Sequence, residues 1–217
     1  MRFLRIMAVL CVLIGVSCKH EESHKSVRKH VVQKKLIPVP IIDCHYTFDE
    51  AIAGTRAPQY IIDQLELIVV RYYSVDGKLH QGQILTNKRM AEKIKSMFEI
   101  MLKVRFPVAH AIPVVKYNWD DEQSMEDNNT YSFCYRNAGF SKHAKGLAID
   151  INPFFNPVRW KGGYTYRKDK PVGAVYDPNV PGTFSVDSKM VHQFKELGLR
   201  WGHSFSMKYD DHHFELR

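Results

Sequence analysis

No Cys-x-x-Cys pair occurs anywhere in the 217 residues, which excludes a zinc knuckle built on thiolates. Of the four cysteines, Cys11 falls in an apolar run and Cys18 just beyond it, which leaves Cys44 and Cys134 inside the body. Spacing alone does not decide whether those two pair. No apolar run is long enough to cross a bilayer as a helix: residues 6–16 form a run of eleven, where about 20 are needed. A basic surface for nucleic acid is also missing. The formal charge is +8, but residues 1–36 carry eight Lys or Arg against two Glu, so +6 lies there and only +2 remains for residues 37–217. A nucleic-acid binder places its basic excess on the folded module or on a motif-bearing arm, and neither is present. Internal repeats and low-complexity tracts are absent as well.

What is present begins with an export signal over residues 1–18. Arg2 and Arg5 precede the apolar run, which is of signal-peptide length and flanking. Gly15-Val16-Ser17-Cys18 resembles the lipobox of bacterial lipoproteins, with Gly15 where leucine is usual. That implies lipidation of Cys18 and a membrane anchor; the alternative is an ordinary cleaved signal. Either way the sequence predicts a protein exported from a bacterial cell. Residues 19–40 are charged and poor in aromatics, as in a solvated tether. Residues 41–217 are expected to fold as one monomeric domain, and at 45% hydrophobic and 12% aromatic content the chain has material for a core.

Within that domain, residues 65–70 are almost continuously apolar and continue through Tyr72 and Tyr73, as in a strand. Asp76-Gly77 signals a turn, and residues 79–85 return as the hairpin partner. Thr86 or Asn87 caps a helix whose Met90, Ile94, Met97, Phe98, Met101 and Leu102 share one face. A second helix is expected over residues 187–197, with Met190, Val191, Phe194 and Leu197 inward and Gly198 at its stop. Strands and helices in this unequal mixture predict an α+β fold. Residues 152–185, rich in Pro, Gly and Tyr, are too long for a plain connection, and loops of that length tend to be functional.

Two segments concentrate chemistry. In the first, Ser141 to Asp150, a glycine turn leads from His143 into an apolar strand over residues 147–151 interrupted by one acid. A carboxylate among Ala and Ile needs a cation or a metal beside it. The second is Asp210-Asp211-His212-His213-Phe214-Glu215. Two imidazoles and one carboxylate around an open position make a catalytic zinc site, which His143, Asp150 and either His212 or His213 can supply. A Ser141/His143/Asp150 triad competes, but the serine lacks the glycines of a nucleophile elbow. A structural ion pair is the remaining alternative.

The pattern Ser-x-His-x-x-Gly-x-Ala-x-Asp, met in full by Ser141 to Asp150, resembles the signature of the D-alanyl-D-alanine carboxypeptidase-like metallopeptidases. That family includes D,D-carboxypeptidases, D,D-dipeptidases and L-alanyl-D-glutamate endopeptidases. Further likeness runs through Asp120-Asp121, Ser124-Met125, Asn128-Asn129-Thr130, Phe133 and Arg136 before the signature. It continues in Ile151-Asn152-Pro153 and Asn156-Pro157 after it, and in Trp201-Gly202 and Asp210-x-x-His213-Phe214-Glu215. The resemblance implies a hedgehog/D,D-peptidase-like fold, a small antiparallel sheet flanked by helices with the metal at one edge. It implies one zinc ion per chain held by His143, Asp150 and His213, with Asp210 as general base. Arg136 would polarise the scissile carbonyl or hold a substrate carboxylate. Ser141 would touch substrate, and Glu215 would orient a ligand histidine. The implied partners are peptidoglycan stem peptides, with the bond cut left open. A non-catalytic wall-binding module on the same scaffold is the alternative. The chain departs from the family pattern after Gly202, where His203 interrupts it; a solvent-facing position is expected for that residue ahead of a substrate contact or an accessory ligand.

Overall fold

A computed structural model describes residues 39–137, 139–164 and 167–217, all within a compact unit, Pro38–Arg217. The expected export signal, Cys18 and nearly all of the expected tether lie outside the described residues. Among the described residues no helix is long and apolar enough to cross a membrane.

The chain enters through β1 (Ile41–Ile42), then two short helices, α1 (Phe48–Ile52) and α2 (Gln59–Ile62). Next comes the expected hairpin, β2 (Leu65–Tyr73) and β3 (Leu79–Asn87), paired antiparallel along its full length. Its turn closes because Gly77 takes φ 76°, a conformation that other residues reach only with strain, while the Asp76 carboxylate accepts from Lys78 N at 2.9 Å. Helix α3 (Lys88–Val104) starts where Asn87 accepts from Arg89 N at 3.0 Å. It lays Met90, Ile94, Met97, Phe98 and Met101 against β2, and Arg105 in the left-handed region ends it before Pro107. The remaining elements are small: β4 (His110–Ala111), α4 (Asp121–Glu126), β5 (Asn129–Thr130), β6 (Ala148–Asp150), β7 (Val158–Trp160), α5 (Lys189–Glu196), β8 (Leu199–Trp201), β9 (Lys208–Asp210) and β10 (His213–Leu216).

The architecture is α+β, but the single small sheet expected from the resemblance is replaced by several. Among the described residues the orders are β1-β3-β2, β6-β10-β8, β4-β5 and β7-β9. Strands of two to four residues carry no readable alternation, and their partners lie far away in sequence. The antiparallel β6-β10-β8 sheet matters most here. Its central strand, β10, sets His213 opposite Asp150 and Phe214 opposite Ile149 on one side and Trp201 on the other. Ile149 and Phe214 are fully buried in the core that also takes the inner faces of α3 and α5. Strand alternation then turns Asp150 and His213 away from that core.

Residues 152–185 are tied down at both ends. Asn152 donates to Pro107 O (2.8 Å) and Gly182 O (3.0 Å) and accepts from Ala109 N (2.9 Å). Asn156 donates to Gly182 O (2.9 Å) and accepts from Phe184 N (2.7 Å). These buried amides replace secondary structure in satisfying the loop's backbone. Through β7 the same stretch pairs with β9, Val158 opposite Asp210. Cys44 and Cys134 are separate thiols, pushed up to about 11 and about 12 by burial.

Candidate metal centre

His143 begins a 3-10 turn, His143–Lys145, closed by Gly146 with φ 64°. A side chain at Gly146 would collide with Asn87 N at 2.6 Å, so this glycine sets the approach of the turn to the end of β3. The turn aims the imidazole at β6. His143 Nδ1 lies 2.8 Å from the Ser132 carbonyl, and because a carbonyl only accepts, Nδ1 carries a proton and Nε2 is the atom left to meet a cation or a second proton. That Nε2 is 3.0 Å from His213 Nδ1 and 3.1 Å from Asp150 Oδ1, and His213 Nδ1 is 2.9 Å from the same oxygen. The other face of His213 points Nε2 at Glu215 Oε2, 3.2 Å away.

Three acceptor atoms at the corners of a triangle 2.9–3.1 Å on a side repel one another unless a cation lies among them. All three can be about 2.0–2.2 Å from one ion placed to one side of their plane, and that leaves a coordination position open. His143, Asp150 and His213 are all buried, and the group can hold a metal ion. In the metal-free protein a proton takes the cation's place. Burial opposes charge on His213, but the Asp150 and Glu215 carboxylates override it and lift the imidazole to about 10. Burial likewise opposes charge on Asp150. The His143 and His212 charges and the hydrogen bonds from His143 and His213 nevertheless hold it well below the usual carboxylate range.

The neighbouring acids and histidines separate clearly. His212 donates through Nδ1 to Asn156 O at 2.7 Å and stands 3.7 Å from Asp150, outside the triangle. Its Nε2 is 2.9 Å from Asp210 Oδ1 but off the hydrogen-bonding angle, so this buried oxygen has no proper partner among the described residues. Asp210 Oδ2 is 2.6 Å from Lys208 Nζ. Asp211, its equal in composition, is fully buried and consumed by structure. It accepts from Arg159 Nε (3.0 Å) and a second guanidinium nitrogen (2.7 Å) and lies 2.6 Å from His203 Nδ1. The Arg159 guanidinium is itself stacked between Tyr176 and Tyr209. His203 therefore corrects the solvent-facing expectation: it lies half-buried between the Trp201 and Tyr209 rings, at 4.5 and 4.6 Å.

Arg136 and Ser141 are not brought into contact with the three acceptors. Arg136 is exposed and paired with Asp121 at 2.5 Å, and Ser141 is half-exposed two residues before His143. Sequence reasoning missed Ser132, Arg159 and Lys208, and gave Asn156 a place in a motif but no role, since backbone acceptors and loop partners leave no spacing signal. Gly202 stood in a recognised motif, and its reason is now visible. A Cβ there would lie 2.6 Å from Asp210 O, 2.8 Å from Asp210 Cβ and 3.1 Å from His213 Cβ. Gly202→Ala is therefore expected to destabilise by about 1–3 kcal/mol and to weaken metal binding together with it, read by thermal unfolding and metal titration. Wild-type metal affinity in that variant would contradict the packing argument.

A buried His/Asp/His group with an acid beside it is a donor set that metal-dependent hydrolases use. Residues 135–216 match the family model described as D-alanyl-D-alanine carboxypeptidase, so the resemblance read from the motifs is found independently over the segment that carries all three acceptors. No curated protein and no solved structure gives a significant match to the chain.

Proposed function

We propose that this protein is an exported zinc metallopeptidase that hydrolyses peptide bonds in peptidoglycan stem peptides, anchored to a membrane through Cys18. The observation that carries the reading is the convergence of His143 Nε2, Asp150 Oδ1 and His213 Nδ1, with Asp210 close by but outside the triangle. A site that only stabilised the fold would close with a fourth protein ligand, and a retired scaffold would have no use for a charged buried acid. Two nitrogens and one carboxylate oxygen suit zinc. When bound, the ion supplies Lewis acidity toward a carbonyl and lowers the pKa of water to about 7.

The remaining roles fall to side chains. Ser132 O fixes the tautomer of His143, and Glu215 holds the ring of His213 from behind. Asp210 accepts a proton from the attacking water and returns it to the leaving amine. Arg136 balances charge developing on the scissile carbonyl or holds a substrate carboxylate, and Ser141 contacts the peptide beside it. Both the D,D-carboxypeptidase and the L-Ala-D-Glu endopeptidase type fit this arrangement. Incubating the zinc-loaded protein with defined muropeptides, with products read by mass spectrometry, separates them: released D-alanine marks the first, cleavage between L-Ala and D-Glu the second. A zinc-bound protein that cuts no muropeptide would overturn the proposal. Mass spectrometry of the mature N-terminus reads the Cys18 part of it.

A further inference from the structure

A cleft of about 640 Å³, within the usual size of ligand sites, is lined in part by the stretch of chain that hydrogen-bonds to His143. Gly54, Arg56, Asn118, Trp119, Arg136 and Asn137 form most of its wall. It adjoins the metal group through the backbone. Cys134 N donates to His143 O at 3.2 Å, and the residues that follow, Tyr135 to Asn137, make one side of the cleft. The opposite side comes from residues 54–56 and 118–119, which lie outside the stretch matched by the family model.

That opposite side is held in shape at a cost. Asn118 and Trp119 both take positive φ, 53° and 66°, and a bulky residue seldom adopts this conformation without a compensating hold. The hold is visible: Trp119 Nε1 donates to Ala53 O at 2.8 Å, and the indole packs edge-on against Phe133 at 5.8 Å. Two distant segments are thus fastened together, leaving the cleft preformed between them. Its chemistry is one-sided. Its lining carries two arginines and no carboxylate, and of the two only Arg136 is paired, with Asp121 at 2.5 Å. Arg56 is exposed and has no ion pair among the described residues. Guanidinium groups only donate, in a planar fork that matches a carboxylate.

We infer that this cleft binds a carboxylate-bearing part of the peptide substrate, with Arg56 as the residue that recognises it. The inference rests on the peptidase reading and narrows its substrate to acidic peptides. It also assigns specificity to a residue upstream of the matched segment. Arg56 does not contact the metal group, so its loss should act on binding rather than on the chemical step.

The test uses the full zinc-loaded protein and two probes, a stem pentapeptide acid, which contains both candidate bonds, and the same peptide with its side-chain carboxylates amidated. Arg56→Ala should raise KM for the acid about 10-fold, leave kcat within a factor of two and leave KM for the amide unchanged. Arg56→Lys should recover part of the loss. Equal changes for acid and amide, or no change for either, would overturn the inference while the peptidase reading stood. Should the wild-type protein cut neither probe, the peptidase reading fails. Calorimetric binding then decides the cleft separately: acid bound more tightly than amide, with the difference lost in Arg56→Ala, supports it, and no such difference overturns it.

Discussion

Asp210→Asn lowers kcat by about 10²–10⁴-fold while the protein still binds one metal ion per chain. The substitution keeps the shape of the side chain and removes only its capacity to accept a proton. Burial pushes the Asp210 carboxyl up, but the His212 charge and contact, then His213 and Lys208, hold it well below the usual range. It is therefore ionised across the working pH range. A carboxylate held so low is a weak base, and metal binding helps by removing the proton from His213, one of the charges that depress it. Asp210 is not among the three acceptors, so metal content should survive. Lys208, its partner, keeps access to solvent and loses little when the charge goes. Turnover within tenfold of wild type in Asp210→Asn would remove Asp210 from the chemistry. Loss of metal in that variant would mean that it is a ligand.

The second large effect is the response of stability to metal and pH together. His213 is raised from 6.5 to about 10 in the metal-free fold, so its contribution is fully present below pH 6.5 and is lost as pH climbs through about 10. Asp150 is lowered from 3.8, so its contribution is present above pH 3.8 and is lost as acid protonates it. From these two groups the metal-free protein is most stable between about pH 4 and 6.5. Metal requires His213 deprotonated, so protons compete with it and affinity rises with pH. The gap in Tm between zinc-saturated and chelator-treated protein should accordingly widen from pH 5 to pH 9. Free zinc at a thousand times Kd adds about 4 kcal/mol, roughly 10 °C for a domain of this size. Thermal unfolding at several pH values checks it, and coincident melts with and without zinc would deny the ion a place among these three residues.

Legibility in the sequence followed local order. The hairpin around Asp76-Gly77 and the stripe from Met90 to Met101 were readable because neighbours in sequence make those contacts. His143 and Asp150 were readable as a pair because one turn and one strand join them, and motif spacing alone placed His213 above His212. The structure adds why: Nδ1 of His212 is engaged by Asn156 O, while Glu215 turns Nδ1 of His213 toward Asp150. Nothing local announces that Asp211 is bound by Arg159 from 52 residues away, or that β7 lies along β9. Such pairings are decided by tertiary packing, and strands of three residues hold no periodicity from which to infer them. His203 was misjudged for the same reason, since its aromatic neighbours and its acid come together only on folding.

Strand β10 runs between β6 and β8, with His213 at its first position and Phe214 in the core. During folding, a species in which this strand has not yet docked can own His143 and Asp150 and still have no place for an ion. Its pairing with β6 spans more than sixty residues, a closure that a refolding chain makes late. The capacity to hold an ion should therefore appear in one step with the last native structure, so that no half-folded form carries the metal.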